Sequence, residues 1–189
     1  MEVSKKCRVI SMRKELIVVM LASILSSIGM GIFAPVYLLF YQKIGSYGEI
    51  TAAFGIFWIA VALLEAPFGY LSDKFGKKLF IVLGGILTSL VSLSYTLVKT
   101  ASELYLLEFL SGTATSMQTP AIQSLISEIT PKKKKGKIFG IFNSSVNLTY
   151  GIASLFSGIF IGIFGPNSVF ILSSFFQFAS ALIASKIRS

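Results

Sequence analysis

Two carboxyls, Glu65 and Glu108, stand inside long apolar runs of this 189-residue chain. A charge at the centre of a membrane helix costs about 2.5 to 3.5 kcal/mol on insertion scales, so each is a candidate for carrying a proton or meeting a solute. Their positions differ. Glu108 is only four residues into its run, about 6 Å at 1.5 Å per residue, and within reach of interfacial water. Glu65 is about 12 Å along a helix from Asp73 and is harder to explain that way. It reads either as a proton carrier or as a neutral carboxyl bonded to a neighbouring helix. Uncharged polar residues extend the pattern. Glu108, Ser111, Thr115 and Gln118 fall at helical spacing, as do Asn143, Asn147, Tyr150 and Ser154, and each set forms one stripe. Lipid would leave such stripes unsatisfied, so they face other helices or a water-filled cavity. Bonding between helices and lining of a pore both account for them.

What is missing narrows the chemistry further. The chain has no histidine and one cysteine, Cys7, which excludes a disulfide framework, a Cys/His zinc site and imidazole catalysis. The sequence calls for no enzyme, metal or cofactor. Apolar residues make up 54% and charged residues 13%, too few charges to clothe a soluble domain, which carries about 25%.

These residues must therefore be positioned by membrane helices. About 20 apolar residues cross a hydrocarbon core. Six runs qualify, at 16–41, 50–71, 79–98, 104–127, 138–164 and 169–185. The fold class expected is an all-α integral membrane protein, with a basic tail over 1–14 and a six-helix bundle over 15–189. The first run is too long for a cleaved signal peptide, and either Met1 or Met12 could be the start. Of the 17 Lys and Arg, 15 fall in the tail, in the connections after the second and fourth runs, or at the end of the chain, leaving Lys43 and Lys99 for the other side. The positive-inside rule then makes both termini cytoplasmic in a multi-pass cell-membrane protein. The run Lys132 to Lys135 reads as topogenic or lipid-facing and not as a nucleic-acid patch. Tyr37 and Tyr41, near the outer end of the first run, read as interface anchors. Two glycosylation-like triplets beginning at Asn143 and Asn147 lie inside the fifth run and are chance matches.

Sliding the chain on itself at an offset of 85 pairs Phe54-Gly55-Ile56-Phe57 with Phe139-Gly140-Ile141-Phe142, and also Leu25-Ser26 with Leu110-Ser111 and Pro35 with Pro120. A repeat of three spans enters the membrane from the opposite side in its second copy. The expectation is a 3+3 inverted repeat, over about 15–99 and 100–189, a build common among secondary transporters.

The connection after the second run is the most specific element. It reads Gly69-Tyr70-Leu71-Ser72-Asp73-Lys74-Phe75-Gly76-Lys77-Lys78. Gly69 allows close approach of another helix, Asp73 can accept helix amides or pair with Lys77 or Lys78, and Gly76 permits a turn other residues resist. This string resembles the signature loop of the major facilitator superfamily, and the stretch from Gly112 through Pro120 to Gly140 is similar to the family with less specificity. The resemblance covers the chain as the amino-terminal half of a twelve-helix transporter. It implies a small-molecule substrate moved by alternating access, no cofactor, and a second six-helix half, as a separate chain or in a homodimer. It also implies that Gly69, Leu71, Asp73, Lys74, Gly76, Lys77 and Lys78 form a conformational switch. Two departures stand out: Glu108 occupies the position where proton-coupled members carry an arginine, and the exporter-type glycine-proline motif is missing from the fifth run. A truncated or split gene product, a six-helix channel and a non-transporting scaffold or decayed gene are the alternatives, although the Asn-Pro-Ala boxes of a water channel are absent.

Overall fold

The computed structural model describes residues 2–41 and 46–187, with side chains at 12, 14–37 and 46–187. The side chains of Lys5, Lys6, Cys7, Arg8, Arg13, Tyr41, Lys43 and Arg188 lie outside the described residues. The described residues form six helices: α1 (Glu2–Tyr41), α2 (Tyr47–Phe75), α3 (Lys77–Ser94), α4 (Ala101–Ile129), α5 (Lys135–Phe164) and α6 (Pro166–Ala184), with short 3-10 turns at Tyr95–Leu97 and Lys132–Lys134. Among the described residues five helices are long and apolar enough to cross a membrane: the Lys14–Tyr37 part of α1, then α2, α3, α5 and α6. The fourth has the length, 29 residues, but is more polar, with Glu103, Glu108, Gln118, Gln123 and Glu128 along it.

The helix ends follow from local chemistry. Ser46 with Glu49 begins α2, and Thr100 with Glu103 begins α4, each as a reciprocal capping box that satisfies amides the first turn leaves open. Glu103 precedes the apolar stretch of α4. The backbone amides of Lys99 and then Thr100 hold its carboxyl below the usual carboxylate range. At Gly76 the backbone turns at φ 102°, a value side chains resist, so α2 and α3 meet with one residue between them, as the sequence led us to expect. Gly165 (φ 78°) and Pro166 make the same kind of joint between α5 and α6.

In the bundle α1 lies against α5 and α6, α2 against α4, and α3 against both α4 and α6. Missing side chains set the closest approaches. A Cβ on Gly31 would sit 2.5 Å from the Tyr150 carbonyl of α5, and one on Gly112 would sit 2.6 Å from the Phe57 carbonyl of α2. Gly84 is as tight, 2.6 Å from Gln118 Cγ. Gly69, the glycine singled out for close approach, is different: a Cβ there would meet Pro120 at 3.5 Å, ordinary contact, so α2 and α4 are not held together by its bareness. Near the crossing of α3 and α6, Ser89 donates to the Ser174 carbonyl at 2.9 Å, with the two hydroxyls 3.1 Å apart.

Two apolar cores result. One, at the lysine-rich end, gathers Val19, Phe80, Ile81, Ile126, Phe142 and Ile187. The other, at the opposite end, gathers Ile32, Val36, Tyr37, Tyr95, Leu104 and Phe170. The outer faces are unequal. Half of the apolar stretch of α3 is buried (50%), but only 22% of that of α2 and 11% of that of α5, so the latter two present largely uncovered faces. On the α2 face, Trp58, the chain's single tryptophan, is 56% exposed and packs edge-on against Phe54 and Phe57.

Candidate functional site: a central cavity and an ion-paired joint

A cavity of about 440 Å³ runs from the lysine-rich end toward the middle of the bundle. Its polar wall comes from Ser23, Ser26 and Ser27 of α1, Thr88 of α3, Thr115, Gln118 and Thr119 of α4, and Gln177 and Ser180 of α6. Met30, Ile81, Phe139, Phe142, Val146 and Ile187 supply the apolar wall. Among the described residues no charged side chain lines it. Hydrogen bonds fix the polar wall in place. Gln177, fully buried, accepts from the Ser26 hydroxyl at 2.8 Å and donates to the Ser26 carbonyl at 3.2 Å, tying α6 to α1. Gln118 donates to Thr88 Oγ1 at 2.9 Å, tying α4 to α3, and Thr88 itself donates to the Gly84 carbonyl. Two carboxamides thus brace four helices around a space that can offer hydrogen bonds and apolar contact.

The expected polar path divides. Thr115, Gln118, Asn143 and Tyr150 line the cavity. Glu65, Glu108, Ser111 and Asn147 do not line it. Glu65 is half-buried, and among the described residues nothing donates to its carboxyl; Asn147 is exposed on α5. Glu108 needs the larger correction. It is 5% exposed and accepts the Tyr95 hydroxyl at 2.7 Å, so it does not reach interfacial water. It sits instead at the opposite end, beside the aromatic cluster of Phe33, Tyr37, Tyr95 and Phe170, whose rings lie 5.0 to 6.0 Å apart. Tyr37, expected as an interface anchor, is buried in that cluster, 6% exposed. The contributions of α1 and α6 went unread, although Ser173, Gln177 and Ser180 fall at steps of four and three and formed a legible stripe.

At the lysine-rich end, Lys77 stands between two acids. Its ammonium lies 3.2 Å from Asp73 Oδ1 and 2.7 Å from Glu128 Oε1, while the Ser124 hydroxyl donates to Asp73 at 3.2 Å. The end of α2, the start of α3 and the end of α4 are thereby joined around Gly76. Of the two partners considered for Asp73, the contact is with Lys77 and not Lys78. Both acids are open to solvent, at 63% and 60%, whereas Lys77 is 13% exposed. Lys74 lies over the Phe75 ring at 5.4 Å, and Leu71 packs against the core of this end. Glu128 was not anticipated, because an acid at the end of a helix ordinarily signals only a solvated terminus.

The sequence profile of the Major Facilitator Superfamily matches residues 19–188. An uncharacterised MFS-type transporter of Methanocaldococcus jannaschii is 31% identical over 174 residues, which is 92% of this chain and 45% of that protein. The quinolone resistance protein NorA of Staphylococcus aureus is 30% identical over 141 residues, 72% of this chain and 35% of NorA. The chain therefore spans less than half the length of these relatives. With a profile match over most of its length, on a helical fold whose long apolar helices surround a cavity walled by hydroxyls and carboxamides, the chain belongs to the major facilitator superfamily of transporters.

Proposed function

We propose that this chain is one six-helix bundle of a secondary transporter that moves a small solute by alternating access against a second bundle. The observation that carries the reading is the cavity. It is central, lined by hydroxyls and carboxamides with no charged side chain among the described residues, and bordered by Asn143 and Tyr150 of α5, the least covered of the five apolar helices. Exposed carboxamides at membrane depth are costly against lipid, so a second bundle or water belongs over Asn143 and Asn147. In this reading α4 is the sixth span, since helices that cross the membrane lie against it on both sides. The lysine-rich end is cytoplasmic. A 3+3 inverted repeat is supported by the hydrogen bond between Ser89 and Ser174, which are 85 residues apart. That separation equals the repeat offset, so the two serines are equivalent positions meeting each other, as residues on a two-fold axis do. The pairing of helices supports it as well: exchanging each helix with its counterpart three places on turns α1 on α5 into α4 on α2, and α1 on α6 into α4 on α3.

The switch residues Asp73, Lys77 and Gly76, with Glu128, act as a clasp that holds the cytoplasmic ends of α2, α3 and α4 in one arrangement. The test is reconstitution in vesicles after the mass of the purified chain in detergent has been measured. The name of the quinolone resistance protein NorA makes quinolones the first solutes to assay. Flux is expected only when a second six-helix bundle is present, as a second copy or a separate chain. Robust flux from a proven monomer defeats the reading and favours a channel. Cysteines at Ser46 and Lys134 check the orientation: only the former should react with an impermeant reagent from outside.

A further inference from the structure

A second void, about 590 Å³, opens at the lysine-rich end and is separate in its lining from the central cavity but for Ile187. Its walls are Leu79 and Val82 of α3 and Leu125 of α4, and its rim carries Lys77, Lys78 and Glu128. The rim charges are not equally occupied. Glu128 and Lys77 satisfy each other at 2.7 Å, and Lys77 also holds Asp73. Lys78 is half-buried and has no acid partner among the described residues. One unpaired cation therefore sits over an apolar cleft at the level where a helix leaves the membrane. That combination fits an amphipathic anion: a phosphate for the ammonium and a hydrocarbon chain for the leucine and valine walls. A small soluble anion would leave the walls empty. A zwitterionic headgroup would bring its own cation up to Lys78.

We propose that this groove binds an anionic glycerophospholipid, with its phosphate against Lys78 and an acyl chain along Leu79, Val82 and Leu125. The shared chemistry, a phosphate, is also offered by soluble phosphate esters. The apolar walls favour the lipid as its source. Binding should therefore depend separately on the cation and on the cleft. Losing one ammonium should erase the preference for an anionic headgroup, and filling the cleft should expel lipid whatever its headgroup.

The purified 189-residue chain would be equilibrated with equal amounts of phosphatidylglycerol and phosphatidylcholine carrying the same acyl chains. Retained lipid would then be counted by native mass spectrometry. Phosphatidylglycerol should be retained about fivefold over phosphatidylcholine, the scale expected for one cation near an anionic headgroup. Lys78→Gln should bring the ratio close to one with unchanged helicity by circular dichroism. Val82→Trp should lower retention of both lipids, again at native helicity. Equal retention by the wild-type chain, or a preference that survives Lys78→Gln, overturns the proposal. Glycerol 3-phosphate at millimolar concentration should leave the bound lipid in place. Complete displacement by it identifies a soluble phosphate site and overturns the lipid assignment.

Discussion

The two ends of the bundle hold their acids by opposite means. At the lysine-rich end, Asp73 and Glu128 are mostly solvated and share one lysine, beside a joint that turns on a single glycine. At the other end, Glu108 is buried, bonded to a phenol and placed beside packed rings. The first arrangement is weak in each contact and easily exchanged, because exposed ion pairs are worth about 0 to 1 kcal/mol. The second depends on its members, since a buried acceptor that loses a donor costs about 1 to 3 kcal/mol. A membrane bundle that rearranges needs contacts of the first kind where it moves and of the second kind where it stays packed.

Substitutions can break or sharpen that contrast. Phe170 is fully buried and stacks on Tyr95, so Phe170→Ala should have the largest effect, destabilising the chain by on the order of 3 kcal/mol in a detergent unfolding titration. Phe75→Ala, at the exposed lysine-rich end, should stay within about 0.5 kcal/mol. Similar costs for both would erase the contrast. Tyr95→Phe comes next, at about 1 to 3 kcal/mol, because it removes the hydroxyl 2.7 Å from the buried Glu108 carboxyl and leaves the ring in place. Lys77→Gln should follow, at no more than about 1 kcal/mol, since the acids it frees are already hydrated. A cost exceeding that of Tyr95→Phe would move the rigid end to the lysines. The smallest effect belongs to the α4 cap. The carboxyl of Glu103 titrates below its unfolded value, so its stabilisation is present above pH about 4.3 and fades as pH falls through the lower folded value. Wild type and Glu103→Gln should therefore differ in melting temperature at pH 7 and converge in acid. A gap that persists in acid would assign the difference to something other than this charge.

The contrast also explains what could be read in advance. Apolar runs, lysine-rich connections and the Gly76 joint are local properties, and each was legible. The division of the α4 stripe was not. From Glu108 to Gln118 the helix rises about 15 Å and its face drifts by about 80°, so residues on one nominal stripe reach different depths and neighbours. Glu108 consequently meets Tyr95, and Gln118 meets Thr88. The close approaches at Gly31 and Gly112 depend on which carbonyl lies opposite, a fact about another helix that the glycine's own surroundings in sequence do not carry. Gly69 shows the converse: it sits in the most recognisable motif and yet leaves ordinary room for a methyl group.

The exposed indole of Trp58 gives the protein an optical signal of its own. With a single tryptophan in the chain, all indole emission comes from the uncovered face of α2. Brominated acyl chains would quench that emission wherever lipid touches the ring, and a protein surface laid over α2 would shield it. The chain thus carries an unlabelled fluorescence gauge of what covers that face, readable in any vesicle without introducing a dye.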